Sequence, residues 1–170
     1  MTDRVWNAML VGVMLVLSLT GCSPVSKEES VTMTLEQAKQ ALWQVEDELI
    51  AQLPPEVVTE RTPRKETSPV IFECGPPTGG YTWPSGTQVG IDPATDSSAV
   101  LTAIHDRWAS KPDWQVSWVD TGAEGQYHLD LRRQDGLEFG LMNVSGNTQL
   151  HFGGFSPCFQ LDDYDPNRSY

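Results

Sequence analysis

The chain has 170 residues and a formal net charge of −12, from 11 Lys and Arg against 23 Asp and Glu. That length suits one ordinary domain with a real core. So acidic a surface repels phosphate backbones and anionic headgroups, which argues against nucleic acid as a partner and against a polybasic membrane patch; its plain use is solubility.

Residues 1–7 are polar, with one basic group, Arg4, offset by Asp3. An apolar run, AMLVGVMLVLSL, follows over 8–19. It is shorter than the ~20 residues a membrane helix needs and fits the ~7–15-residue apolar region of an export signal. The run leads into Leu19-Thr20-Gly21-Cys22, which resembles the lipobox of bacterial lipoproteins. That resemblance implies cleavage between Gly21 and Cys22, diacylglycerol on the Cys22 sulfur and an acyl chain on the new amino terminus. Several acyl chains give stable anchoring where one is marginal. The expected location is therefore the extracytoplasmic face of a cell membrane. Removing residues 1–21 leaves 149 residues, still at −12 because Asp3 and Arg4 cancel.

The chain has three cysteines. With Cys22 lipidated, Cys74 and Cys158 remain, and an even number in an exported chain reads as a disulfide. A metal pair is the alternative, but it lacks CxxC spacing and nearby ligands.

Residues 22–33 read as a lipidated, polar tether. Thr34-Leu35-Glu36-Gln37 fits a capping box, with Thr34 at N-cap and Gln37 at N3. Leu35, Ala38, Leu42, Val45 and Leu49 recur three and four apart, which predicts one apolar helix face. Leu53-Pro54-Pro55 ends that helix. Residues 56–69 read as a charged loop. Residues 70–74 read as a short strand and 75–80 as a turn. Residues 81–91 are broken by Pro84, which predicts an edge or interrupted strand. Asp96 or Ser97 caps a second helix running to about Ser110, with Val100, Ala103, Ile104 and Trp108 on its buried face.

The rest reads as a meander of four strands: 114–119, 126–133, 137–144 and 148–155. Gln134-Asp135-Gly136 suits a three-residue loop with Gly136 in the left-handed region. That register sets Leu131 opposite Phe139, Leu129 opposite Leu141 and Arg132 opposite Glu138. Gly146-Asn147 suits a two-residue loop, which sets Leu141 opposite Phe152 and Asn143 opposite Leu150. Both turns give one shared apolar face: Leu129, Leu131, Phe139, Leu141, Leu150 and Phe152. The expected fold is α+β, an antiparallel sheet of about five to six strands with two helices packed on one face and one disulfide. The single domain covers 34–160, and 161–170 reads as an acidic C-terminal tail.

The search for chemistry is mostly negative. His128, Met142 and His151 fall on the outer sheet face. The two histidines stand two strands apart, roughly 10 Å. A bridging metal would have only Met142 as a third ligand, so polar residues on a solvated face are the better account. Asp163, Asp165 and Asn167 alternate like a calcium loop, but Arg168 holds the glycine position and the glutamate at the loop's twelfth position is missing. No nucleophile elbow and no phosphate-cradling glycine loop occurs. No cofactor, metal or catalytic constellation is expected. Trp108, Trp114 and Trp118 read as core, with Trp43 beside the main stripe of its helix. Trp83 is the candidate for exposure on a binding surface, together with His128, Met142 and His151.

The whole arrangement resembles small actinobacterial lipoproteins, including the mycobacterial LppA-like group. The likeness rests on the lipobox, an early helix ending in Leu53-Pro54-Pro55 and the VIFECG segment around Cys74. A helix ending near Trp108 and Ser156-Pro157-Cys158 complete it. It implies the surface location, the disulfide and the α+β fold, and it implies no activity. The functional expectation is a non-enzymatic binding or accessory module of the cell envelope, whose partner is an envelope protein or glycan. The alternative is a ligand carrier or envelope-sugar binder using a cleft between helices and sheet.

Overall fold

A computed structural model describes residues 33–76, 79–144 and 146–170. The expected leader, Gly21, Cys22 and nearly all of the tether lie outside the described residues.

The elements run α1 (Leu35–Ile50), a 3-10 turn (Pro55–Val57), β1 (Val58–Arg61), β2 (Phe72–Glu73), β3 (Tyr81–Thr82) and β4 (Pro84–Ile91). Then come α2 (Ser97–Ala109), β5 (Trp114–Val119), β6 (His128–Arg133), β7 (Glu138–Val144) and β8 (Gln149–Phe155). Six strands form one antiparallel sheet in the order β1-β4-β8-β7-β6-β5, and β2 pairs with β3 in a separate ribbon. The fold is α+β.

Helix α1 starts as its sequence dictates. The Thr34 hydroxyl accepts from the Gln37 amide at 3.3 Å, and the Thr34 amide donates to the Gln37 side chain at 2.9 Å. Two end donors that the helix cannot satisfy itself are thereby paired. Its stripe of Ala38, Leu42, Val45 and Leu49 is buried. In α2 the buried stripe is Leu101, Ile104 and Trp108, so the expected Val100 and Ala103 are corrected: Ala103 faces solvent and Val100 is half-buried. Asp96 is the cap, accepting from the Ala99 amide at 3.1 Å.

The meander register is the expected one. Leu131 pairs with Phe139, Leu129 with Leu141, Leu141 with Phe152 and Asn143 with Leu150. Gly136 has φ +90°, and Gly146 and Asn147 have φ +65° and +71°. Only a left-handed backbone closes these turns with the twist of the flanking strands. All six residues of the predicted apolar face are 0–2 % exposed. Helix α1 lies against β8, and α2 against β5 and β6.

Departures from expectation cluster where pairing is non-local. The charged segment 56–69 contains β1, in which Val58 is half-buried and Thr59, Glu60 and Arg61 are exposed, so no apolar alternation marks it as a strand. The expected strand 70–74 shortens to β2 in the outer ribbon. Strand β4 is interrupted from β3 before Pro84, as expected, but it is interior, between β1 and β8. Proline is tolerated because β1 reaches only as far as Val89, leaving the Pro84 end of β4 without a neighbour on that side.

Trp83 is 1 % exposed, which overturns its expected place on a surface. Its cover comes from the C-terminal segment. The Trp83 amide donates to the Ser156 hydroxyl at 2.9 Å, and its indole Nε1 donates to the Tyr170 carbonyl at 3.2 Å. The stretch read as an acidic tail thus folds back on the domain, and Tyr170 exchanges two backbone hydrogen bonds with Ser68. Trp118, expected in the core, is 42 % exposed. It sits on edge strand β5 and only stacks on His105, at 5.7 Å between ring centres. The Cys74–Cys158 disulfide is present and ties the β2–β3 ribbon to the segment after β8.

Candidate functional site

The inner sheet face is filled, so the candidate site is sought on the outer face. The register lines up side chains across the strands. His128, Met142, His151 and Gln88 form one row over β6, β7, β8 and β4. The next row reads Asp130, Gly140, Gly153 and Gly86, and the third reads Arg132, Glu138, Phe155 and Pro84. Three glycines on three adjacent strands make a floor about 10 Å long. The flanking rows stand about 13 Å apart, measured along the strands. The result is a groove of about 410 Å³ crossing the strands.

Two imidazoles lean from one wall across the floor. A Cβ added at Gly140 would come within 2.9 Å of His128 Nε2, and one at Gly153 within 3.1 Å of His151 Cε1. The other wall and one end carry charge. His128 Nε2 lies 3.2 Å from Asp130 Oδ1, Arg132 Nη2 lies 3.6 Å from Asp130 Oδ2, and Arg132 Nε lies 3.9 Å from Glu138 Oε1. Beyond Phe155 the surface is apolar, since Phe72 and Phe155 are 48 % and 40 % exposed and meet edge to face at 5.6 Å.

The structure therefore brings His128, Met142 and His151 together, as expected, and removes Trp83 from the group. Among the described residues, no three His, Cys, Asp or Glu side chains converge on a metal position. The glycine floor was half legible in advance. A register that sets Leu141 opposite Phe152 also sets Gly140 opposite Gly153. Gly86 joins them only through the β4–β8 pairing, which no turn announces.

A second polar cluster lies on the helix side. Glu46 of α1 is fully buried, and it accepts from the Thr87 hydroxyl at 2.7 Å and the Ser85 hydroxyl at 2.8 Å. Arg61 and Arg64 reach the same carboxylate at 3.3 and 3.4 Å and also bond Asp47 at 3.0 and 2.6 Å. Partial burial alone would raise the Asp47 pKa. The hydrogen bonds and charges of Arg61 and Arg64 outweigh it and hold that carboxyl below its ordinary value of 3.8. This cluster pins α1 to β4 and to the segment after β1. Its acids are neutralised and hydrogen-bonded, which is the arrangement of a structural lock rather than of a reactive carboxylate.

Compared with family models, with curated proteins and with solved structures, the chain finds no significant match in any of the three.

Proposed function

We propose that the chain is a membrane-anchored, extracytoplasmic binding module of the cell envelope, lipidated at Cys22, which takes its ligand in the groove on the outer sheet face. The anchor rests on the apolar run 8–19 and the Leu19-Thr20-Gly21-Cys22 segment that follows it. A Cys74–Cys158 disulfide accords with folding in an oxidising compartment.

The observation that carries the binding role is the groove of about 410 Å³, in which His128, Asp130, Arg132, Glu138, His151 and Phe155 surround a row of strand glycines. Glycine in a strand interior costs stability, roughly 0.5–1 kcal/mol against alanine. Gly86, Gly140 and Gly153 have no positive φ that would require glycine. Nor would a Cβ at Gly140 or Gly153 strike backbone; the nearest atoms belong to the His128 and His151 imidazoles, at 2.9 and 3.1 Å. The backbone does not explain these glycines; room for the His128 and His151 rings, which line the groove, does. By contrast, the layer between helices and sheet is filled by Leu42, Leu49, Ile104, Trp108, Leu141 and Phe152, each 0–1 % exposed. A carrier cleft between those layers has no support.

The anchor is tested by Cys22→Ala. The expected result is loss of lipid labelling and release from the membrane fraction, or accumulation of uncleaved precursor. Normal labelling and retention would refute the anchor.

A further inference from the structure

Resting on the reading of the outer groove as a binding site, we infer that its ligand is a neutral, polyhydroxylated molecule, a short oligosaccharide. An anion would face Asp130 and Glu138 and a protein of net charge −12. A cation would find its place taken, since Arg132 lies between those two carboxylates at 3.6 and 3.9 Å. A purely apolar ligand would strip water from Asp130, Arg132 and Glu138 and return no hydrogen bonds, a cost that burial of carbon does not recover.

Hydroxyl groups satisfy all of these demands. Each donates to a carboxylate and accepts from a guanidinium or an imidazole N–H. A pyranose ring also needs a flat surface for its C–H face. The exposed Phe155 ring offers such a surface at the groove's edge, and the His128 and His151 rings lie over Gly140 and Gly153 beside it. A volume of about 410 Å³ is that of a small-molecule site.

The test uses the full chain in phosphocholine micelles, labelled with 13C at methionine methyls. The Met142 signal is assigned by its loss in Met142→Leu. Probes are maltose, cellobiose, mannobiose and galactobiose, with citrate as the anion and spermidine as the cation. The expected result is a saturable shift of the Met142 methyl with at least one disaccharide and none with citrate or spermidine. Gly153→Val fills the floor and should weaken that binding about tenfold or more, which is at least 1.4 kcal/mol. Phe155→Leu, which removes the aromatic face from the groove's edge, is the second variant and should also weaken it. A shift with citrate or spermidine alone overturns the sugar assignment and leaves the groove as a site. A disaccharide shift unchanged in both variants overturns the assignment, because the sugar then binds elsewhere. No shift with any probe overturns the sugar; the groove itself falls if, in addition, Gly153→Val leaves every crosslinked partner of the anchored protein in place.

Discussion

The Trp83 indole donates to the backbone carbonyl of Tyr170 at 3.2 Å, so a residue between β3 and β4 is roofed by a segment far along the chain. The Trp43 ring closes a second side, edge-on at 5.8 Å, and the Lys39 ammonium lies 5.1 Å from the Trp83 ring centre. Trp83→Ala should cost ~3–5 kcal/mol, as large-to-small changes of buried aromatics do. Deleting 161–170 removes the same contact from the other side. The two changes together should therefore destabilise by less than the sum of their separate effects, as read by chemical denaturation of the four proteins. Strict additivity would mean that Trp83 gains nothing from the segment that covers it.

Glu46 offers a sharper energetic test, because its carboxylate is fully buried. Glu46→Ala strands the Thr87 hydroxyl, itself 0 % exposed, and removes the ionic partner that Arg61 and Arg64 share with Asp47. Breaking a buried ionic cluster from one side should cost ~3–5 kcal/mol. Thr87→Val keeps the shape and removes one donor, for ~1–3 kcal/mol. Equilibrium denaturation of both variants checks the order, and a larger loss for Thr87→Val would contradict it.

These two clusters also show which parts of the fold could be read in advance. The meander could, because Gln134-Asp135-Gly136 and Gly146-Asn147 set register locally, through backbone conformations that few residues adopt. The cap at Thr34 could, because its partner is three residues away. The pairing of β4 with β8 could not, since no turn joins them and Pro84 argues for an edge. Trp83 was misread for the same reason: its cover arrives from residues 156–170, which composition alone makes look like a tail. Arg61 and Arg64 looked like loop charges because their partner, Glu46, sits on an otherwise amphipathic helix.

The pH dependence follows from Asp47. Its carboxyl is held below the ordinary 3.8 by Arg61 and Arg64 against the opposing effect of burial. A depressed folded pKa means that the unfolded chain binds the proton first as pH falls. The contribution is complete above the ordinary value and is lost as pH falls through the folded one. Asp47→Asn should flatten the loss of stability as pH falls below the ordinary 3.8, with little change in slope near neutrality. The side chain is 53 % exposed, so solvent screening keeps the effect modest. Denaturation midpoints across the acid range measure it, and an unchanged acid limb would show that Arg61 and Arg64 do not act on Asp47 in solution.

Neighbouring glycines on β8 separate the groove from the core. Gly153 faces the groove, and the atom nearest an added Cβ there is His151 Cε1 at 3.1 Å, the end of a side chain that can swing. Gly154 faces inward, where an added Cβ meets the Glu138 carbonyl at 2.6 Å and two Phe139 ring carbons at 2.9 Å. Neither has a positive φ, so the difference between them is space alone. Gly154→Ala should cost ~1–3 kcal/mol through overpacking against backbone and a buried ring. Gly153→Ala should instead be neutral or stabilise by up to ~0.5–1 kcal/mol, since alanine restricts the unfolded chain more than glycine does. Thermal or chemical denaturation with the disulfide intact decides between them. If Gly153→Ala proves as costly as Gly154→Ala, glycine at 153 is a packing requirement set by the His151 ring. If Gly153→Ala raises stability, the His151 ring gives way to the methyl without cost, and the fold itself does not require glycine at 153.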